Sequence, residues 1–304
     1  MMLVIYGPTA TGKTNLAIEI AKKNNGELIS ADSRQVYKNL DIGTGKVSPN
    51  SNVKKYNGHW FVDGVKIYGF DVIAPGESFS AADFIGYANG IINNIQKKNK
   101  IPIIVGGTGF YIKSLLFGIE TLGIAPNYTL RKKLDNLTKT ELYKTLFKLN
   151  RNKAISLNES DRKNPRRLIR AIEIAVNNSY SITSIQTSPA NYEIIGLTAP
   201  NDFLYKRADA WLIQRLDLGL IDEVKYLLSN RISSNWLQSL GLEYKWITRS
   251  LLGEISQNEA ISRLKGDIHA YIRRQKTFSR QFPKIKYFDI SERNWKHNLQ
   301  NLSL

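Results

Sequence analysis

Short apolar runs and amphipathic stretches alternate along the first hundred residues. The short apolar runs at 3–6 (LVIY), 27–31 (ELISA) and 101–105 (IPIIV) predict buried strands. The stretches between them repeat apolar residues at helical spacing, and the second opens with Ser80 and Asp83 in a capping-box pattern. Strands that alternate with helices predict a parallel α/β sheet.

The pattern changes after the third run. Residues 130–180 lack strand alternation and are helix-like, polar and basic, whereas 191–197 (NYEIIGL) again has the character of a strand. Helical patterns fill most of the remaining chain. We therefore predict an α/β fold whose parallel-sheet core comprises residues 1–114 and 191–304, including C-terminal helices, with a helical insert domain over 115–190.

The stretch GPTATGKT links the first predicted strand to the first predicted helix. Its G-x-x-x-x-G-K-T spacing is that of a P-loop, in which glycines let backbone N–H groups fold around an anion at a helix N-terminus. Lys13 would reach the outer phosphates, and the Thr14 hydroxyl would ligate Mg²⁺. A plain glycine turn is the structural alternative. The candidate diphosphate ligands are Gly7, Pro8, Thr9, Ala10, Thr11, Gly12, Lys13 and Thr14.

The chain carries a formal net charge of +17, from 43 basic and 26 acidic residues. Two segments hold most of the excess: residues 131–180 have 13 basic against 5 acidic residues, and residues 263–286 have 8 against 1. A polyanion that contacts both segments would account for this distribution. A solvated basic surface, or a general bias towards lysine, is the alternative.

The amino-acid composition excludes disulfides and several kinds of metal or catalytic site. The chain has no cysteine, so disulfides, thiolate metal sites and thiol nucleophiles are absent, and its three histidines are scattered. No basic leader precedes an apolar segment, and no apolar run is long enough to span a bilayer. We expect a cytoplasmic protein that is monomeric and makes no membrane contact.

Most P-loop proteins transfer or hydrolyse a terminal phosphoryl group, and many carry an aspartate at the end of an apolar strand. Here the run at 101–105 ends in Gly106-Gly107, and the strand-ending acid close to the P-loop in sequence is Asp32. A small-molecule kinase stays open, as does an RNA-binding protein that senses a nucleotide. The loop recognises diphosphate geometry rather than adenine, so any diphosphate ester could be the ligand.

Six stretches together resemble the tRNA dimethylallyltransferase family across nearly the whole chain. The pair DSRQVY and DIGTGK is far more specific than the P-loop. The stretches are GPTATGKT (7–14), ADSRQVYKNLDIGTGK (31–46), IPIIVGGTGFYI (101–112), NPRRLIRAIEI (164–174), GLIDEV (219–224) and RRQKTFSR (273–280).

This resemblance implies a substrate for the P-loop. In the family, the loop binds the diphosphate of dimethylallyl diphosphate together with Mg²⁺, and ATP is not consumed. The dimethylallyl group passes to the exocyclic amine of the adenine 3′-adjacent to the anticodon, in tRNAs that read codons beginning with U. The products are isopentenyladenosine and pyrophosphate, and the helical insert holds the anticodon stem-loop.

The resemblance also assigns roles around the adenine. Asp32 corresponds to the general base that accepts the amine proton, although an aspartate there could equally cap a turn. Ser33, Arg34 and Gln35 correspond to contacts with the everted adenine, and the Gln35 amide could pair with a base edge. Thr108 corresponds to a contact near the reaction channel, with a structural turn residue as the alternative.

The basic segments are implied to bind the RNA. Arg166 and Arg170 are i, i+4 neighbours on a predicted helix, and a solvated basic face is the alternative. The apolar face of this helix is predicted to comprise Leu168, Ala171, Ile172, Ala175 and Val176. The R-Q-x-T stretch of the family contacts the RNA backbone. The implied tRNA contacts in these segments are Arg131, Arg166, Arg167, Arg170, Arg274, Gln275 and Thr277.

The chain departs from the family pattern at three places. The family has two arginines four residues apart, one of them associated with pyrophosphate. Arg207 matches the first, Trp211 occupies the second position, and Arg215 lies one turn further on. Arg207 is therefore the candidate diphosphate ligand, while the role of Arg215 stays open. Phe278 stands where tryptophan is usual, and LGLEYKW (240–246) is a variant segment.

Overall fold

The structure is a computed structural model that describes residues 1–119, 124–177 and 191–300. The chain divides into two compact units, Met1–Leu116 with Ser188–Leu304, and Phe117–Thr187. The predicted boundary after residue 190 lies outside the described residues. The assignment of an insert to 115–190 therefore stays a prediction.

An eight-stranded sheet forms the centre of the first unit, in the order β3-β4-β5-β2-β6-β1-β7-β8. Neighbouring strands are parallel except for the pairs β3–β4 and β4–β5. The prediction of a parallel α/β sheet is confirmed. The strands are β1 (Met2–Tyr6), β2 (Gly26–Ser30), β3 (Val53–Tyr56), β4 (His59–Val62), β5 (Val65–Tyr68), β6 (Ile101–Gly106), β7 (Tyr192–Thr198) and β8 (Lys286–Asp289).

Helices connect these strands and form the second unit. The predicted capping box is confirmed, because the Ser80 hydroxyl accepts a hydrogen bond from the Asp83 N–H and the Asp83 carboxylate accepts one from the Ser80 N–H. The helices are α1 (Lys13–Lys23), α2 (Ala81–Lys97), α3 (Gly109–Phe117), α4 (Tyr128–Leu134), α5 (Lys139–Leu149), α6 (Arg151–Ser156), α7 (Glu159–Arg162), α8 (Pro165–Val176), α9 (Asn201–Asp217), α10 (Leu220–Ser229), α11 (Ser234–Ser239), α12 (Leu242–Leu251), α13 (Gln257–Ser279) and α14 (Trp295–Gln300).

The apolar runs of the sequence form the centre of the sheet. Strands β2, β6 and β1 lie side by side, and nearly all their residues are buried. A parallel strand that is covered on both faces has no polar face, which explains why these strands read as continuous apolar runs. Their carboxyl ends meet at one edge of the sheet, and the loops that follow them form the candidate site there.

The edge strands β3, β4 and β5 were missed by the sequence analysis. Each is only four residues long, and β3 and β5 carry lysines while β4 begins with a histidine, so no apolar run marks them. Their turns did carry a signal: Asn57-Gly58 joins β3 to β4, and Asp63-Gly64 joins β4 to β5. Asp63 and Gly64 both have positive φ, 51° and 84°. Asx-Gly pairs of this kind favour two-residue hairpin turns.

Helix α8 provides the core of the second unit. It buries Leu168 and Ile172 as predicted, together with Leu142 and Leu146 of α5, whereas Val176 is 53% exposed. The prediction that Val176 belongs to the apolar face was wrong, because α8 ends at this residue.

A buried carboxylate ties α4 to α8. Glu173 is 2% exposed, and its oxygens accept hydrogen bonds from Arg131, from Arg170 and from the Asn127 N–H. Burial by itself raises the pKa of the Glu173 carboxyl. The hydrogen bonds from Arg131 and Arg170 lower it by a larger amount, so the pKa lies below its usual value. The charged carboxylate therefore stabilises the folded unit.

We expect Glu173→Gln to destabilise α8 by about 1–3 kcal/mol, because the buried donors then face a weaker acceptor. Hydrogen exchange of the α8 amides measures the change. The stabilisation is present above the usual carboxyl pKa and is lost as pH falls through the lowered pKa. Glu159→Gln, which removes only the exposed pair with Lys163, is the control. Equal exchange in the two variants at neutral pH would contradict the prediction.

Candidate active site

A cavity of about 390 Å³ opens beside the carboxyl ends of β1, β2 and β6. Its walls come from the loops that follow these strands and from helices α9, α12 and α13. Many of the residues predicted from the sequence line it. They are Thr9, Ala10, Gly12, Lys13, Thr14, Asp32, Arg34, Gln35, Arg207 and Gln275.

The P-loop segment forms the turn between β1 and α1. Gly12 has a φ of +79°, a left-handed conformation that other residues rarely adopt, and α1 starts directly after it. The Lys13 ammonium donates a hydrogen bond to the Pro8 carbonyl over 2.7 Å. Burial lowers the pKa of Lys13 to about 8, while the charge of Asp32 acts in the opposite direction. A bound anion would favour the charged ammonium.

Gln275 joins this loop to the loop after β6. Its Oε1 accepts from the Thr9 N–H over 2.9 Å, and its Nε2 donates to the Gly107 carbonyl over 2.9 Å. A side chain on Gly107 would overlap the amide. The sequence analysis assigned Gln275 to the RNA backbone, which does not agree with its burial at 4% exposure and its two internal hydrogen bonds.

Asp32 lies where β2 ends and accepts a hydrogen bond from the Arg34 N–H over 2.9 Å. It thus caps a turn, as the structural alternative supposed, and also lines the cavity. The adjacent Ser33 N–H donates to the Thr108 hydroxyl over 3.0 Å, which brings the predicted residues Ser33 and Thr108 together.

Tyr271 of α13 was not found from the sequence. Burial and the charge of Asp32 raise its pKa to about 12, so its hydroxyl stays protonated.

The Gln35 amide is engaged at both ends. Its Oε1 accepts from the Ser30 hydroxyl over 2.7 Å, and its Nε2 donates to the carbonyls of Thr44 and Gly45, each over 3.2 Å. The prediction that this amide pairs with a base edge does not agree with these bonds. The side chain instead connects the end of β2 to the loop at 44–45.

A buried carboxylate that the sequence analysis did not single out holds two arginines. Glu243 accepts from Arg34 over 2.6 Å and from Arg215 over 2.8 Å. Burial raises the pKa of the Glu243 carboxyl, but the charges of Arg215 and Arg34 lower it more, so it lies below its usual range. Glu243 belongs to the variant segment LGLEYKW, and that departure was the signal that could have identified it.

The two candidate arginines of α9 occupy different places. Arg207 is exposed and donates from Nε to the carbonyl of Ala10 in the P-loop over 2.8 Å. Arg215 is 3% exposed, donates to the Gly43 carbonyl, and lies 4.1 Å above the Trp211 ring. Arg207 is therefore the arginine in contact with the P-loop.

The predicted RNA contacts lie on both units. Arg274 and Thr277 are exposed on α13, and in the second unit Arg166 is exposed on α8. Arg167 is also exposed but forms an ion pair with Asp161. Arg131 and Arg170 instead bind Glu173. The expectation that Arg170 shares the solvent face of Arg166 was wrong, because its guanidinium is paired with that buried carboxylate.

Within the described part of the chain, no group of three or more His, Cys, Asp or Glu side chains could hold a metal ion. Thr14 and Asp32 are among the oxygen-bearing side chains that line the cavity. This set fits Mg²⁺ that arrives with phosphate oxygens and retains water, rather than a metal enclosed by protein ligands.

No helix among the described residues is long and apolar enough to cross a membrane. Monomeric state and cytoplasmic location stay predictions.

Comparison with known proteins gives a consistent result. A family model described as IPP transferase matches residues 35–282. A tRNA dimethylallyltransferase of Acetivibrio thermocellus is 38% identical over 96% of this chain and 92% of its own length. One of Endomicrobium trichonymphae is 35% identical over 94% of both chains.

The fold agrees as well. The crystal structure of a full-length tRNA isopentenylpyrophosphate transferase of Bacillus halodurans matches with a TM-score of 0.70 and 33% identity, over 98% of this chain and 93% of its own. The family model covers most of the chain, and the relatives match over nearly their whole length. This chain therefore belongs to the IPP transferase family.

Proposed function

We propose that this protein is a tRNA dimethylallyltransferase. It transfers the dimethylallyl group of dimethylallyl diphosphate to the exocyclic amine of the adenine 3′-adjacent to the anticodon, in tRNAs that read codons beginning with U. The observation that carries the proposal is that one cavity contains both Lys13 of the P-loop and the carboxylate of Asp32. An anion site and a proton acceptor thus face the same space, as transfer from a diphosphate to an amine requires.

The donor binds at the P-loop end. Backbone N–H groups, the N-terminus of α1 and the Lys13 ammonium hold the diphosphate, and Arg207 adds charge where it contacts Ala10. The Thr14 hydroxyl would hold Mg²⁺, which would neutralise charge on the diphosphate. These groups stabilise the departing pyrophosphate as the allylic C–O bond breaks.

The acceptor enters from the side of Asp32. The adenine leaves its stack in the anticodon loop, which is already single-stranded, so the cost of everting it is low. Its amine nitrogen forms the new bond to the allylic carbon and its proton passes to the Asp32 carboxylate. The Arg34 N–H and the Ser33–Thr108 contact fix the turn that presents this carboxylate.

We expect Asp32→Asn to reduce transfer by about 10²-fold or more, since the amide cannot accept the proton, yet its oxygen can still accept from the Arg34 N–H and preserve the turn. Lys13→Ala should lose transfer as well, through weaker stabilisation of pyrophosphate. The assay follows labelled dimethylallyl groups into unmodified tRNA, with Mg²⁺ present. ATP serves as the control, because turnover of ATP without label in the tRNA would indicate a kinase and overturn the proposal.

Gln275→Leu should raise the KM for dimethylallyl diphosphate roughly tenfold, because the Thr9 N–H and the Gly107 carbonyl lose their partner and the P-loop loses its shape. The KM for tRNA should change little. Gln281→Leu, at an exposed position just beyond α13, is the matched control. An increase in the KM for tRNA alone would support the original assignment of Gln275 to the RNA.

Arg166→Ala and Arg274→Ala should each weaken tRNA binding several-fold at moderate salt and lower the slope of log K against log salt by about 1, as expected when one phosphate contact is lost. The kcat at saturating tRNA should stay near that of the parent protein. Lys22→Ala, at an exposed position on α1, is the control. Unchanged affinity in both arginine variants would show that the assigned RNA-binding residues are wrong.

A further inference from the structure

The edge of the sheet carries a second cluster of aromatic and basic side chains. Along β4 and β5, Trp60, Val62, Val65 and Ile67 are buried in the core. Side chains alternate across a strand, so the intervening residues lie on the opposite face of the sheet. We name this cluster the hairpin face and define it as Lys54, Tyr56, His59, Phe61, Lys66 and Tyr68.

Strand register places these residues together. Lys54 pairs with Phe61, Tyr56 with His59, and Phe61 with Lys66. Directly paired residues project to the same side of a sheet. The hairpin face is therefore a fixed arrangement on paired strands.

The rings are arranged for stacking. Tyr56 and His59 stack with their centroids 5.3 Å apart and their planes 8° from parallel. Phe61 lies edge-on to both, at 5.7 Å from Tyr56 and 5.6 Å from His59. Tyr56 is 52% exposed, so part of its surface is available to a planar partner. Nucleobases are such partners, and they stack on exposed aromatic rings without regard to sequence.

The charge around the rings is positive. The Lys66 ammonium lies 5.8 Å from the centroid of Phe61 and 5.3 Å from that of Tyr68, and Lys54 is exposed. The acidic group nearby, Glu27, already binds Lys100 and the Tyr68 hydroxyl. Burial and the charge of Lys66 lower the pKa of His59, against smaller opposing effects of a hydrogen bond with the Asn57 backbone and of the charge of Glu27. His59 thus presents an uncharged ring at neutral pH.

The hairpin face lies near the candidate active site. Tyr68 pairs with Ile29, the residue before Ser30, which lines the cavity. Strand β3 is three strand spacings from β2, or roughly 14 Å. The hairpin face and the cavity are therefore parts of one sheet, separated by a distance that a single RNA can span.

We propose that the hairpin face is an additional RNA-binding surface, on which an unpaired base of the tRNA stacks against Tyr56 while phosphates contact Lys54 and Lys66. RNA is the occupant that matches both features, since the exposed ring of Tyr56 beside Lys54 and Lys66 suits bases joined by phosphates. The proposal rests on tRNA being the substrate, but it concerns binding rather than transfer.

The test measures the Kd for unmodified tRNA by filter binding, without donor, over a range of salt concentrations. Tyr56→Ser should weaken binding roughly fivefold or more through lost stacking, whereas Tyr56→Phe should bind like the parent protein. Lys66→Gln should lower the salt slope by about 1. The matched controls are Tyr226→Ser and Lys225→Gln, an exposed pair on α10, and both should leave the Kd unchanged.

Ultraviolet crosslinking gives a second readout, because a base stacked on Tyr56 should crosslink to the peptide that contains β3 and β4. Unchanged Kd and salt slope in Tyr56→Ser and Lys66→Gln would overturn the proposal, as would equal weakening by Tyr56→Phe. If the hairpin face binds a protein partner instead of RNA, Tyr56→Ser and Lys66→Gln would leave the Kd and the salt slope unchanged. If the parent protein binds tRNA through Tyr56 but transfers no dimethylallyl group, the result contradicts the proposed function and still supports RNA binding at the hairpin face.

Discussion

The candidate site depends on one buried amide. Gln275 of α13 binds the P-loop through the Thr9 N–H and the loop after β6 through the Gly107 carbonyl. Its own carbonyl accepts a hydrogen bond from the Tyr6 hydroxyl over 2.8 Å. Glycines contribute no side chains to these loops, so contacts within the loop and the Gln275 amide from outside it fix their shape. A helix near the end of the chain thereby holds loops that follow the two central strands.

Two carboxylates, of which Glu243 is buried and Glu223 half-buried, hold the next loop in the same way. Glu223 accepts from the backbone N–H groups of Asp41, Ile42 and Gly43, over 2.6–2.9 Å, and from the Tyr244 hydroxyl. Glu243 links Arg34, beside Asp32, to Arg215 on α9. Removing either carboxylate would leave buried donors unpaired, which is costly in an interior of low dielectric. The Asp32 side of the cavity is therefore positioned by helices from the C-terminal part of the chain.

The excess of positive charge serves two purposes. Arg131, Arg170 and Arg215 are engaged with buried carboxylates, where they stabilise packing. Arg166 and Arg274 are exposed and can contact phosphate. Counting basic residues does not separate these groups, because a paired arginine and a solvated arginine each add one positive charge to the total.

The sequence by itself determined the features that depend on neighbours a few residues apart. The apolar runs predicted β1, β2, β6 and β7, Ser80 and Asp83 predicted the start of α2, and the P-loop spacing predicted the turn before α1. For the strands of the hairpin face, the local sequence signal was limited to the Asx-Gly pairs at the turns that connect them. The order of the motifs predicted the family, although it did not reveal what each side chain binds.

Only the tertiary structure decided the roles of Gln35, Gln275, Arg170 and Glu243. Glutamine and arginine can bind RNA or a distant part of the same chain with equal chemistry, and the choice depends on which partner the fold brings within hydrogen-bonding distance. For Gln275 that partner is 266 residues away. No local pattern encodes a contact over that separation, because it exists only once the sheet and α13 have packed together.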